Sequence, residues 1–317
     1  MRAIQIKEFG GPEVLQLAEM PDLQPQPGQT LIQVSRVGVN YADTHQAENS
    51  YLSPTTLPMI PGAEVAGTTP DGRRVVAFVD GGAYAEQAVA WDPLLFDVPD
   101  GVDDGQALAL LLQGLTAWHI LRTSARIEPG ESVVVHAAAG GVGSLAVQLA
   151  KEFGAGRVIG AASTADKREL VAGLGADVVI DSTAPDMKEA LLEANGGEKV
   201  DVVLEMVGGP TFDGSLAALA PFGRLVTYGT ASRELPTAVE PRKLVHGTKA
   251  VVGFWLAHCF TRKDMLHPQM RQMFDLTVAG RLRPIVGATY PLADARLAHE
   301  ALRSRGSVGK LLLDPTA

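Results

Sequence analysis

The chain is predicted to be an α/β protein, a doubly wound parallel sheet joined to a β-rich domain. Three observations predict this. Residues 133–154 read VVVHAAAGGVGSLAVQLAKEFG, an apolar run, a small-residue turn and the start of an amphipathic helix. From 133 to 255, six apolar runs alternate with helical stretches. Residues 1–100 instead hold short strand-like runs punctuated by glycine and proline.

In order along the chain, the strand-like runs of the first part are 3–6, 30–39, 62–68 and 73–78, with turn signals at 10–12, 25–28, 58–62 and 71–72. Residues 103–112 and 114–122 read as two helices, and Glu128, Pro129 and Gly130 as a turn. The runs of the parallel sheet are 133–137, 158–162, 178–181, 200–206, 225–229 and 251–255. Residues 264–280 and 293–304 then read as helices and 310–313 as a terminal strand. These last pieces fit best as a return into the first domain. The expected division is 1–112 for the β-rich domain, 113–257 for the parallel-sheet domain and 258–317 for the return.

The turn after the first parallel strand has the form A-x-G-x-x-G, with Ala138 where a glycine is usual. A strand, a glycine turn and a helix in this order form a dinucleotide-binding fingerprint. Gly140 lets backbone approach a pyrophosphate, Gly143 lets the helix pack close to the strand, and the helix N-terminus offers free N–H groups to an anion. Ala139, Gly140, Gly141, Val142 and Gly143 are therefore the expected phosphate-side residues. The alternative is a close-packed glycine turn with no ligand.

Composition bounds the rest. With 317 residues and 46% hydrophobic content, the chain is long enough for two domains with cores. A net charge of −9 argues against an electrostatic grip on nucleic acid or anionic membranes. Cys259 is the only cysteine, so neither an intramolecular disulfide nor a cysteine-based zinc site of ordinary make-up is expected. The seven histidines show no ligand spacing. The segment MRAIQIKEFGGPE lacks the apolar stretch of a signal peptide, and no run is long enough to span a membrane, so a cytoplasmic protein is expected.

The second strand of the parallel sheet shows which nicotinamide cofactor is preferred. NAD-selective folds end this strand in an acid that binds the ribose 2′-hydroxyl. Here it ends in Ala162 and Ser163, followed by Lys167 and Arg168. A hydroxyl beside two cations suits a 2′-phosphate, through charge-assisted hydrogen bonds. NADPH is therefore expected over NADH, although Asp166 opposes a phosphate. The alternative is a solvated helix face.

The stretches GGPEVLQL (10–17), VGVNYADTH (37–45), PMIPGAEVAG (58–67), QGLTAWHIL (113–121), HAAAGGVG (136–143) and GSVGKLLL (306–313) resemble the medium-chain dehydrogenase/reductase superfamily, over essentially the whole chain. Within it the chain is similar to the zinc-independent quinone oxidoreductases, a branch that includes zeta-crystallin-like proteins and enoyl reductases. The resemblance implies a GroES-like catalytic domain and a Rossmann domain. It implies hydride transfer from NADPH to a quinone or an α,β-unsaturated carbonyl compound. An enoyl thioester reductase, or an NADPH-binding sensor or structural protein with little turnover, is the alternative.

The family's zinc relatives take a cysteine and a histidine where this chain has Asn40 and Ala63, so no metal is expected. By the same resemblance, a lysine placed like Lys167 serves NADPH. Gly229, Phe254 and Trp255 lie where the family touches the cofactor, and Thr116 is a polar contact. Tyr51 stands where enoyl reductases place a proposed proton donor. Asn40 and Tyr51 are the expected catalytic donors to a carbonyl, and Tyr41 and His45 the expected substrate contacts. Tyr51 as a simple pocket wall and Trp255 as a core or dimer residue remain open. Asp43 and Glu64 are expected to be structural. Ala47 and Asn49 depart from the arginine and glycine common in relatives, and the loop after Gly67 is short. The resemblance also implies a homodimer built on the edge strand 251–255.

Overall fold

The computed structural model describes all residues, 1–317. Two compact units divide the chain: residues 1–112 with 259–317, and residues 113–258.

The first unit begins with the antiparallel pair β1 (Arg2–Gln5) and β2 (Gln16–Glu19). The long β3 (Gln29–Val39) leads into the short helix α1 (Tyr41–Ala47). Strands β4 (Glu64–Thr68), β5 (Arg74–Phe78), β6 (Gln87–Trp91) and β7 (Leu95–Asp97) follow, then helix α2 (Asp104–Leu108). Inward residues of β3, β4 and β5 (Ile32, Val34, Val37, Val65, Val75, Ala77) form the core. The short loop after Gly67 is a tight hairpin in which Thr68 pairs with Arg74 and Gly72 takes a φ of 87°. Strands β2, β6 and β7 carry no legible signal: β2 is largely exposed, β7 has only three residues, and the alternation of β6 is muted by alanines.

Helical chain continues from α2 without a break. A π-helical turn (Ala109–Gly114) leads into α3 (Leu115–His119) and a second such turn (Ile120–Ala125). The sequence places a break near Gln113, but Gly114 is helical, with φ −65° and ψ −48°. Leu108, Leu110, Leu111, Leu115, Ile120 and Leu121 are all fully buried, and this burial outweighs the glycine penalty.

In the second unit, strands and helices alternate: β8 (Ser132–Val135), α4 (Gly141–Glu152), β9 (Arg157–Ala162), α5 (Ala165–Gly173), β10 (Val178–Asp181), α6 (Met187–Ala194), β11 (Val200–Glu205), α7 (Gly209–Ala218), β12 (Leu219–Thr227), α8 (Pro241–Gly247) and β13 (Ala250–Gly253). All six strands are parallel, in the order β10-β9-β8-β11-β12-β13. The order reverses between β8 and β11, where doubly wound sheets open a crevice at the carboxyl ends of their strands.

The remaining elements are α9 (His267–Val278), β14 (Val286–Pro291), α10 (Ala295–Arg303) and β15 (Lys310–Asp314). Strand β15 pairs antiparallel with β3, Leu312 opposite Gly38, and β14 adds to its far side. The result is a seven-stranded sheet, β14-β15-β3-β4-β5-β7 with β6 also on β3. No helix is long and apolar enough to cross a membrane.

Candidate active site

The parallel sheet collects the expected cofactor residues at one edge. Ala139 to Gly143 follow β8, Ser163 and Lys167 follow β9, Gly229 follows β12, and Phe254 and Trp255 follow β13. Thr116 lies within α3 instead and is 7% exposed. In the glycine turn, the left-handed position falls on Ala137 (φ 48°), which lets Ala138 stand where the fingerprint usually has glycine. The Ala138 N–H donates to the Ala161 carbonyl at 3.0 Å, tying the turn to β9. A Cβ on Gly140 would meet only the Ala137 carbonyl oxygen, at 3.2 Å, so the other side of this residue is open. A Cβ on Gly143 would collide with that same oxygen and lie 2.7 Å from Ala138 Cα. The N–H groups of the first turn of the twelve-residue α4 have no acceptor within the helix.

Where β9 ends, Ser163 is exposed and Thr164 caps α5 by accepting from the Lys167 N–H. Burial pushes the Lys167 ammonium below its usual range. Arg168 turns back toward the strand and donates to the Ala162 carbonyl at 3.2 Å. Its partner is an acid that sequence reasoning missed: Asp181, at the end of β10, lies 3.3 Å from the guanidinium. The available signal was the strand VVID, because the end of β10 must lie beside the end of β9.

A second missed pair sits at the ends of β11 and β12. Glu205 is fully buried, and its Oε1 accepts from the N–H groups of Val207 (2.7 Å) and Gly208 (2.9 Å). Glu205 Oε2 and the Tyr228 hydroxyl are both buried without a partner. Burial raises the pKa of Glu205, and burial together with the Glu205 charge raises that of Tyr228. An acid at the carboxyl end of the run VDVVLEM was the signal. On β13's side, Phe254 stacks on His119 at 5.9 Å and Trp255 meets His258 edge-on at 5.2 Å.

In the first unit, α1 carries Tyr41 and His45, and the loop after it holds Tyr51, which is half-buried. His45 rests edge-on against Tyr41 at 5.3 Å, and its Nδ1 is 2.9 Å from the Ser50 hydroxyl. Asn49 takes the left-handed conformation (φ 55°), which asparagine tolerates better than most residues.

Beneath α1 lies a buried polar network. Asn40 is 4% exposed; its Nδ2 donates to Glu64 Oε1 at 2.8 Å and its Oδ1 accepts from the Lys310 ammonium at 2.9 Å. Lys310 also donates to Glu64 Oε1, and Glu64 Oε2 accepts from the Leu112 N–H at 3.1 Å. The amide of Asn40 is thus engaged in this network. Gly38 is required here, because a Cβ would lie 2.7 Å from Glu64 Cγ. Asp43 extends the network: its Oδ2 accepts from the Asn40 N–H (2.8 Å) and the Tyr84 hydroxyl (2.9 Å). The Tyr84 oxygen then accepts from His299 Nε2–H at 3.0 Å.

Burial pushes the Asp43 carboxyl up to about 7, against its hydrogen bonds and Lys310, which lower it. Burial also keeps His136 and His299 neutral, lowering both to about 4. The signs oppose one another. Each histidine takes up a proton more readily when unfolded, so acidification from about 6.5 to about 4 removes stability. For Asp43 the folded state holds the extra proton, so stability falls as pH rises from its ordinary 3.8 to about 7. Asp43→Asn is expected to become steadily more favourable relative to the parent over that window. Urea midpoints at pH 5 and 7.5 check this; an equal difference at both values contradicts it.

No group of three or more His, Cys, Asp and Glu side chains is arranged to hold a metal ion. Asn40 and Ala63 offer no thiolate or imidazole, and the Lys310 ammonium already neutralises Glu64 beside them. The residues present do not fit a catalytic zinc. They do fit a phosphorylated dinucleotide: an open glycine turn at a helix start, with a serine, a lysine and an arginine where the neighbouring strand ends.

Comparison with known proteins agrees with this geometry. Residues 26–100 match the alcohol dehydrogenase GroES-like domain family and residues 141–277 the zinc-binding dehydrogenase family. A quinone oxidoreductase of Pseudomonas aeruginosa is 32% identical, covering 99% of both chains. The Escherichia coli quinone oxidoreductase, solved in complex with NADPH, is 34% identical with a TM-score of 0.92, covering 99% of this chain and 100% of that one. A mycobacterial protein solved with NADPH is 38% identical with a TM-score of 0.93, covering 99% of this chain and 100% of its own. This chain belongs to the quinone oxidoreductase family of the medium-chain dehydrogenase/reductase superfamily.

Proposed function

We propose that the protein is an NADPH-dependent, zinc-independent oxidoreductase acting on quinones. The observation that carries this reading is the open glycine turn at Gly140 beside a β9 end that offers Ser163, Lys167 and Arg168 in place of an acid. Quinone oxidoreductases among its relatives were solved with NADPH. Bound NADPH would supply the hydride. The chain's own residues bind and orient. Ala139 to Gly143 take the pyrophosphate, Ser163 and Lys167 with Arg168 the 2′-phosphate, and Thr116, Gly229, Phe254 and Trp255 the nicotinamide half. Tyr41, His45 and Tyr51 meet the acceptor. Asn40 holds the start of α1 through Glu64 and Lys310.

The test is NADPH oxidation with 1,4-naphthoquinone, 9,10-phenanthrenequinone, an acyclic enone and a 2-enoyl thioester, each repeated with NADH. Turnover with the quinones and preference for NADPH are expected. Tyr51→Phe is expected to keep quinone turnover within about threefold, since general acid catalysis is worth about a hundredfold or more where it operates. Turnover confined to enones or thioesters, with a hundredfold loss in Tyr51→Phe, would favour an enoyl reductase. Tight NADPH binding without any turnover would favour a sensor.

A homodimer is part of the same reading. Strand β13 pairs only with β12, which leaves its outer edge unpaired, and an open edge invites a symmetric partner. Light scattering is expected to give twice the chain mass; a monomeric mass contradicts the assignment.

A further inference from the structure

At the carboxyl edge of the parallel sheet, Asp181 lies beside its register partner Ala162. Arg168 reaches this edge from α5, donates to the Ala162 carbonyl at 3.2 Å and pairs with Asp181 Oδ2 at 3.3 Å. Asp181 Oδ1 accepts from the Thr183 N–H (2.8 Å) and hydroxyl (2.7 Å). Those hydrogen bonds, with a smaller contribution from the Arg168 charge, hold the carboxyl below the usual carboxylate range, so it is charged at neutral pH. The Arg168 side chain is 30% exposed and that of Asp181 46%, so an incoming group can reach the pair from solvent.

We propose that Asp181 is a specificity-determining residue for the cofactor, because it competes with the 2′-phosphate for Arg168 and so weakens the preference for NADPH over NADH. The inference rests on the reading that this edge takes the adenosine ribose. A ribose with a free 2′-hydroxyl leaves the Arg168–Asp181 pair undisturbed. A 2′-phosphate brings a dianion beside the carboxylate and draws the guanidinium away from it. Half-exposed ion pairs are weak enough for this exchange to occur on binding. The acid that NAD-selective folds carry at the end of their second strand is thus displaced one strand over, where it acts through an arginine.

Calorimetric titration of the intact protein with 2′-phospho-ADP-ribose and with ADP-ribose tests this without any turnover. Asp181→Asn is expected to tighten 2′-phospho-ADP-ribose by about three- to tenfold and to change ADP-ribose by less than about twofold. Asparagine can still accept from Thr183, so the turn is kept. Arg168→Gln is expected to weaken the phosphorylated ligand alone, and in that background Asp181→Asn should gain less. An unchanged ratio of the two affinities in Asp181→Asn, or weaker binding of the phosphorylated ligand, overturns the proposal. If the parent protein binds neither ligand, the cofactor reading itself fails and the inference falls with it.

Discussion

Gly140→Val is expected to weaken NADPH binding by at least about a hundredfold while leaving the fold intact. Gly140 has φ −78° and ψ 178°, extended backbone that valine adopts freely. Its single close neighbour is the Ala137 carbonyl oxygen at 3.2 Å, so the substitution needs only a small adjustment within the protein. The new side chain instead fills the space through which a pyrophosphate approaches the start of α4. Gly143→Ala separates the two roles of the turn. Its Cβ meets backbone on two residues, Ala137 and Ala138, and backbone cannot give way as a flexible side chain can. That variant is expected to lose about 1–3 kcal/mol of stability as well as cofactor affinity. Fluorescence titration with NADPH alongside thermal unfolding distinguishes them. Equal loss of stability in both variants would mean that the turn has only a packing role.

Lys310→Met is expected to cost about 3–5 kcal/mol, the usual effect of removing one partner from a buried ion pair. Lys310 and Glu64 are both fully buried as side chains, and their pairing is reinforced by Asn40 and the Leu112 N–H. Without the ammonium, the buried Glu64 carboxyl loses its charge partner and Asn40 Oδ1 loses its donor. Combining Lys310→Met with Glu64→Gln should recover part of the loss, because an uncharged pair leaves no isolated ion. Urea unfolding of the three variants measures this. A loss below about 1 kcal/mol in Lys310→Met would show that the pair is not buried in solution. The same substitution should disturb acceptor turnover, since Asn40 immediately precedes α1 and its Tyr41 and His45.

The doubly wound sheet was legible because its strands carry apolar runs and its first turn is a fingerprint; the expected runs 158–162 and 178–181 overlap β9 and β10 throughout, whereas β12 begins at Leu219, ahead of the expected run 225–229, because its first half holds proline, glycine and arginine. Strand β14 was not, since VGATYP is largely exposed and shows no alternation. Local pattern cannot show pairs made across the fold. Nothing in the sequence joins Lys310 to Glu64 and Asn40, some 250 positions away; the antiparallel seating of β15 on β3 does that. Asp43 was read as structural, yet its link through Tyr84 to His299 depends on the return of α10 to the first unit. Asn40 drew attention as the residue in the place of a zinc ligand. Its burial beneath α1 makes it a support for that helix, a role that only the packing reveals.

The central claim is a metal-free, NADPH-dependent quinone reductase, and one measurement bears on it most directly: steady-state NADPH oxidation with 1,4-naphthoquinone before and after exhaustive treatment with a chelator. The predicted result is quinone-dependent oxidation of one NADPH per hydroquinone formed, at a rate unaltered by the chelator. No quinone-dependent oxidation, or activity lost on chelation and restored by zinc, would contradict it.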